Sequence, residues 1–307
     1  MWDPTQYELL DFGEGRKLER LGKWILDRPS PAAEGFRLAG PQRWSSADAY
    51  FRRSQGLKGR WQWQEKRKQH QFREEAVIRW RELSFSLKTN EFGHIGLFPE
   101  QAANWQWLRE TLRLPSFQNQ QPFENQKADF GLQEPPSILH LFAYTGASTL
   151  ASAAAGAKVT HIDGAKNVVQ WARQNAELSQ MADLPVRWIA EDALKYTLRE
   201  VKRGQAHHGI ILDPPSYGHG PKGQTWKIER NLPQLLEALS SLIQPGPAFG
   251  LLTCHSPGYE KDRLAEEWQA VVPATWRGKW MPFEMELQTR GGRSLPAGCG
   301  VRWLRED

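Results

Sequence analysis

The chain predicts an α/β fold in two parts: a parallel sheet with helices on both faces, preceded by a small strand-rich domain. Three observations lead there. From Ile138 onward, short runs that are apolar throughout alternate with helix-spaced segments, the pattern of strands covered on both sides. Acidic residues stand at or just beyond the ends of three such runs, Asp163, Asp192 and Asp213. That is the edge at which open parallel sheets bind ligands. Before about residue 110 the apolar residues instead form short patches broken by glycine, proline and charge.

Those patches centre on Tyr7 to Leu10, Trp44 and Ala76 to Ile78, while Leu83 to Thr89 alternates with period two, as a half-buried strand does. A turn at Thr89-Asn-Glu-Phe-Gly93 leads into Ile95 to Pro99. Residues 1–110 are therefore expected to form the small domain and 111–307 the main one, with 111–136 as a connector. Gln101 to Leu112 predicts a linking helix, with Trp105, Leu108 and Leu112 at helical spacing. Pro115 to Pro136 turns to Gln, Asn, Pro and charge, the composition of a surface connector.

The main domain opens with Ile138 to Phe142 as a buried strand, a turn containing Gly146, and a small-residue helix ended by Gly156. Lys158 to Ile162 predicts the next strand. Helix Asn167–Gln180, strand Val186–Ile189, a helix marked by Leu194, Leu198 and Val201, and strand Gly209–Leu212 follow. Leu232, Leu235, Leu236 and Leu239 share a helix face; Phe249–Thr253, Tyr259–Val272 and Lys279–Thr289 read as strand, helix and strand.

Composition narrows the function classes. Two cysteines among 307 residues, Cys254 and Cys299, exclude a disulfide framework and a four-cysteine metal site. No apolar run reaches membrane-spanning length, and Met1 to Arg20 is charged rather than signal-like, so a cytoplasmic setting is expected. A formal charge of +5 permits a nucleic-acid partner. Its candidate surface is Phe51 to Trp80, where Arg52, Arg53, Lys58, Arg60, Lys66, Arg67, Lys68, Arg73 and Arg79 alternate with Trp61, Trp63, Phe72 and Trp80. The cations would neutralise phosphates while the rings pack against bases or against the core. A charged helix or solvated loop has the same composition.

Three constellations carry candidate chemistry. The Gly146 turn lets a ligand approach the backbone, and Asp163 beside it suits a ribose, although the full dinucleotide glycine pattern is missing. Capping of the following helices would also place acids at strand ends. Asp213-Pro-Pro-Ser-Tyr217 is the sharpest signal: two prolines fix the backbone after a core strand and hold an acid, carbonyl acceptors and an aromatic ring together. Cys254, in Leu251-Leu-Thr-Cys-His-Ser-Pro-Gly258, is either a nucleophile or a buried, inert thiol. The loop Gly218 to Lys227, with His219, Lys222 and Lys227, either guides a strand of nucleic acid or simply turns the chain.

Leu141-Phe-Ala-Tyr-Thr-Gly146, Asp163, Asn175, Glu191-Asp192 and Asp213-Pro-Pro-Ser-Tyr217, followed by Gly218-His-Gly-Pro-Lys-Gly223, resemble the class I methyltransferases dependent on S-adenosylmethionine. Within them the chain is similar to the bacterial branch that methylates 23S ribosomal RNA of the large subunit. The resemblance runs from Ile138 to Gly258 and implies a Rossmann-like class I methyltransferase sheet. It implies that Phe142, Tyr144, Thr145 and Gly146 line the methionine part of the cofactor, that Asp163 holds the ribose, and that Asp192 with Ala193 meets the adenine. Asn175 would support the nearby loops, or else face solvent. Asp213, Pro214, Pro215 and Tyr217 would receive the acceptor, and no metal is needed.

Which atom is methylated stays open between carbon five, an exocyclic amine and a ring nitrogen. Carbon-five enzymes of this superfamily place Cys-Ser-Gly where this chain reads His255-Ser-Pro-Gly258, so the matching position falls nearer His255 than Cys254. The function expected is methylation of a base in RNA, ribosomal by the resemblance. A protein or small-molecule methyltransferase, and an RNA-binding protein that keeps a cofactor pocket, are the competing readings.

Overall fold

The computed structural model describes residues 2–55, 58–118, 134–221, 223–273 and 277–306. Most of the expected connector, 119–133, and Lys222 lie outside the described residues. The chain divides into two compact units, one of Met1–Ala103, Gln174–Gln180 and Met285–Ala297, the other of Asn104–Arg173, Met181–Glu284 and Gly298–Asp307.

The first unit holds β1 (Tyr7–Gly13), β2 (Arg16–Leu21), β3 (Trp24–Pro29), α1 (Pro41–Ser45), β4 (Ala49–Gln55), β5 (Lys58–Trp63), α2 (Lys66–Glu75), β6 (Val77–Trp80) and β7 (Leu83–Ser86). Strands β1 to β5 form one sheet in chain order, antiparallel except between β3 and β4; β6 and β7 make a hairpin. Trp44 lies in α1 rather than in a strand, and its indole donates to Asp11 at 2.9 Å. Asp11 also accepts the Ala39 amide and pairs with Arg293 at 2.8 Å, so one buried carboxylate gathers three segments.

Glu19 is the other polar centre. Burial alone would raise its pKa, but Arg28, Lys17 and the Tyr7 hydroxyl outweigh that and hold the carboxyl at about 2. Asn175 is fully buried, so it does not face solvent: its carbonyl accepts both the amide and the hydroxyl of Ser86, at 3.0 Å each. Ile95 to Pro99, into which the Thr89–Gly93 turn leads, forms no strand.

The second unit begins with α3 (Ala102–Thr111) and α4 (Pro115–Gln118). It continues with β8 (Ser137–Leu141), α5 (Ala147–Ala153), β9 (Lys158–Asp163), α6 (Lys166–Leu178), β10 (Val186–Ala190), α7 (Ala193–Lys202) and β11 (Gly209–Leu212). Then come the short β12 (Tyr217–His219) and β13 (Thr225–Lys227), α8 (Ile228–Ser240), β14 (Ala248–Cys254), α9 (Lys261–Gln269), β15 (Lys279–Gln288) and β16 (Ser294–Arg305). Elements α3, α6, β15 and β16 run across the unit boundaries.

The sheet order is β10-β9-β8-β11-β14-β16-β15, parallel from β10 to β14, with β16 antiparallel to β14. Residues alternate between two cores, as the pleat requires. Leu139, Leu141, Ile210, Leu212 and Leu252 pack with α7, α8 and α9, whereas Ile138, Ile211, Phe249 and Leu251 pack with α3, α4 and α5. Helices therefore cover both faces, as the apolar strands predicted. The chain order leaves β8 in one direction toward β9 and β10, and β11 in the other toward β14. The turn after β8 thus lies at the topological switch point, where such sheets form their crevice.

Candidate active site

The turn after β8 is held in a strained shape. Phe142 and Tyr144 have positive φ angles of 54° and 48°, a region that costs a non-glycine residue about 1–3 kcal/mol. Gly146 follows at φ 87° as the residue before α5, and a Cβ there would come within 3.1 Å of the Ala172 Cβ. Asp163, at the end of β9, secures the turn from below: one carboxylate oxygen accepts the Tyr144 amide and the other the Ala165 amide, each at 2.9 Å. Burial raises the Asp163 pKa, with those two amides pulling the other way. It does not cap α6, which starts three residues later. Asp192 does cap: it is the N-cap of α7 and accepts the Lys195 amide at 2.8 Å.

Behind the turn lies a buried polar triad. Thr149 on α5 has its hydroxyl 2.7 Å from Nδ1 of His140 on β8 and 2.9 Å from Nδ1 of His161 on β9. Burial pushes His140 down to about 3; burial, with His140 and Arg173 adding to it, holds His161 well below the ordinary imidazole value. Both rings are neutral at pH 7.

The stretch expected as the Gly218 to Lys227 loop is instead the β12–β13 hairpin, with strands only three residues long. It packs onto the same edge. Positions beside its tip leave no room for side chains: a Cβ on Gly220 would meet the Asp192 carboxylate at 3.1 Å, and one on Gly164 would meet the His219 carbonyl at 3.1 Å. Trp226 joins the hairpin to the turn, its ring 4.7 Å from that of Phe142, while its indole donates to the Pro215 carbonyl at 2.7 Å.

Asp213 follows β11 directly, and Tyr217 is 55% exposed, so this corner presents an acid and a ring at the opening. The neighbouring corner follows β14. Ser216 and Ser256 lock the two together through their hydroxyls at 2.6 Å, and His255 Nε2 stands 3.7 Å from an Asp213 oxygen. Cys254 belongs to the core instead. It is 1% exposed, its sulfur accepts the Ser256 amide at 3.4 Å, and burial raises its pKa. Its ladder partner Cys299 is pushed up to about 12 by burial. Phe142 to Gly146, Asp163, Asp192, Ala193 and Asp213 to Tyr217 thus come from one edge of one sheet. His255 stands at the same edge, and only its position at the end of β14 signals it in the sequence.

No family model matches the chain. Over 118 residues, 38% of this chain, it is 33% identical to the ribosomal RNA large subunit methyltransferase K/L of Syntrophotalea carbinolica. Those residues span about a sixth of that relative, 16% of its length. Over nearly its whole length it resembles a crystal structure of the SAM-dependent methyltransferase from Agrobacterium tumefaciens: 30% identity, TM-score 0.82, covering 97% of this chain and 90% of that one. The chain belongs to the SAM-dependent methyltransferases. S-adenosylmethionine is the methyltransferase's cofactor, and the Rossmann-like class I sheet is its fold. A Streptococcus mutans structure, 14% identical with a TM-score of 0.71, covers 98% of the methyltransferase and 75% of its own chain and shares the fold. Among the described residues of the methyltransferase, no helix is long and apolar enough to cross a membrane.

Proposed function

We propose that the methyltransferase methylates a base in RNA, and that the RNA is ribosomal. The stretch shared with the ribosomal RNA large subunit methyltransferase K/L carries this reading. The first unit supports it. Arg52 and Arg60 are exposed cross-strand partners on β4 and β5, with the exposed Tyr50 two residues along the same face. Like charges set opposite each other are unfavourable on a bare sheet, and a phosphate between them removes the penalty. Phe72 and Trp80 are buried and Trp63 packs against Phe72, so these rings serve the core, not bases.

S-adenosylmethionine fits the strained turn and the acids beside it. When bound, it supplies an electrophilic methyl group. Gly146, without a Cβ, lets the turn close against Ala172, and Phe142, Tyr144 and Thr145 with it would form the floor under the methionine part. The Asp163 carboxylate keeps lone pairs for the ribose hydroxyls while holding the turn, and Asp192 with Ala193 faces the adenine. At the opening, Asp213 and the Pro214 carbonyl accept the hydrogens of the incoming base, Pro215 keeps the corner rigid, and Tyr217 stacks on the base. Catalysis of this kind is positioning and electrostatic orientation. The test is transfer of labelled methyl from S-adenosylmethionine to unmodified large-subunit ribosomal RNA and to ribosomal subunits lacking the modification. Folded, cofactor-binding enzyme that labels none of them refutes the reading.

A further inference from the structure

We propose that His255 is a catalytic base of this methyltransferase and that the methylated atom is an exocyclic amino nitrogen of the target base. The inference rests on the RNA-base reading above and extends it to the acceptor atom.

Its ground is the pairing of two strand ends. Strands β11 and β14 are neighbours in parallel register, Leu212 opposite Leu252, so Asp213 and His255 leave the sheet side by side. The Ser216–Ser256 contact fixes the two corners, and the imidazole faces the Asp213 carboxylate at 3.7 Å. Both side chains are about one-third exposed, 34% for His255 and 27% for Asp213, so both reach the opening where an acceptor enters. An imidazole beside a carboxylate is suited to taking up a proton, because the imidazolium formed is held by the facing anion.

The three acceptor chemistries differ in what they need. Carbon five of cytosine needs a thiolate to add to the ring first. Cys254 is closed in the core with its sulfur engaged by a backbone amide, and Cys299, its ladder partner, is also buried. A ring nitrogen with a free lone pair loses no proton on methylation and has no use for a base, and a ring nitrogen that carries hydrogen has a single N–H, which leaves none for the Asp213 carboxylate to orient if His255 takes it. An exocyclic amine does lose one. The amino nitrogen's electron pair forms the bond to the methyl carbon as the carbon–sulfur bond breaks and leaves its pair on sulfur. One N–H bond then gives its electrons back to nitrogen as the proton passes to His255. Asp213 orients the amine before transfer and faces the imidazolium after it.

The experiment compares wild type, His255→Ala and His255→Gln on unmodified large-subunit ribosomal RNA transcribed in vitro. Calorimetric binding of S-adenosylmethionine serves as the readout independent of turnover. Both variants should bind the cofactor as wild type does and keep KM for RNA within a few fold, while kcat falls about 10²- to 10⁴-fold. Added imidazole should restore part of the rate to His255→Ala, which a merely structural role would not permit. Nucleoside digests should show the methyl on an amino group. RNA made with 5-fluorocytidine should yield no denaturation-resistant enzyme adduct.

An unchanged kcat, cofactor binding lost together with transfer, a methyl on a ring nitrogen, or a trapped adduct each overturns the inference while leaving RNA methylation intact. A wild-type enzyme that binds cofactor yet labels no RNA overturns both.

Discussion

Replacing Gly146 by alanine tests the turn that the site depends on, and Gly156→Ala provides its control. Both glycines have left-handed backbone, φ 87° and 97°, so alanine costs each position about 1–2 kcal/mol. A less flexible unfolded chain returns about 0.4–1 kcal/mol in both. The sites differ in their surroundings. A Cβ at 146 would lie 3.1 Å from the Ala172 Cβ and 3.6 Å from the Trp188 ring, whereas among the described residues nothing lies within 4 Å of one at 156. Overpacking of that kind adds about 1–3 kcal/mol. Gly156→Ala should therefore lose about 1 kcal/mol and Gly146→Ala about 2–4 kcal/mol. At about 2–4 °C per kcal/mol, melting falls by roughly 2–4 °C and 4–16 °C respectively. Scanning calorimetry with and without saturating S-adenosylmethionine separates stability from binding, since a ligand of the folded state raises its melting point. Wild type and Gly156→Ala should gain from the cofactor and Gly146→Ala should gain much less. Equal melting and equal gain in the two variants would refute the close-contact argument.

Asp163→Asn removes a carboxylate that serves the turn and the ribose together, and calorimetry should show cofactor affinity weakened about 10- to 100-fold, the loss of a charge-assisted pair of bonds; unchanged affinity would remove Asp163 from the site. Acid should destabilise the second unit before its carboxylates titrate. His140 and His207 are held neutral by burial, with pKa values of about 3 and about 4 against 6.5 unfolded. Their contribution is complete above pH 6.5 and is lost as the unfolded chain takes up protons below it. At pH 5 that is roughly 2 kcal/mol per histidine, and a melting point that stays level from pH 7 to pH 5 would contradict it. In the first unit, Glu19→Ala strands Arg28 and Lys17 without their anion and should cost about 3–5 kcal/mol by denaturant unfolding. A loss below about 1 kcal/mol would show that the pair is not an effective ion pair.

The parts of the fold legible in the sequence were those with uninterrupted local signals. The β8 and β11 runs are apolar and lead into a glycine turn and an acid, α5 is a run of small residues followed by Gly156, β9 ends on Asp163, and β14 holds the apolar run from Phe249 to Leu252. The missed elements lack such runs. Strand β16 contains Pro296, Gly298 and Gly300, which read as loop, yet the ladder with β14 runs from Arg305 to Cys299. Helix α2 is polar at every position but Phe72, its one buried residue, so no apolar stripe announces it. In the site, acids at strand ends were visible because the position itself carries meaning. The Trp226 contact with Phe142 was not, since it joins residues far apart in sequence through a hairpin with no period of its own.

Thr149 leaves a chemical imprint on the interior. A hydroxyl owns one hydrogen, yet two imidazole nitrogens lie within bonding reach of this oxygen. If the hydrogen goes to one ring, the other ring offers its own N–H and the two histidines are opposite tautomers; if it goes elsewhere, both rings donate to the oxygen's two lone pairs and share one tautomer. The ¹⁵N resonances of the two rings should tell these arrangements apart, reporting from just behind the strained turn whenever a ligand settles against it.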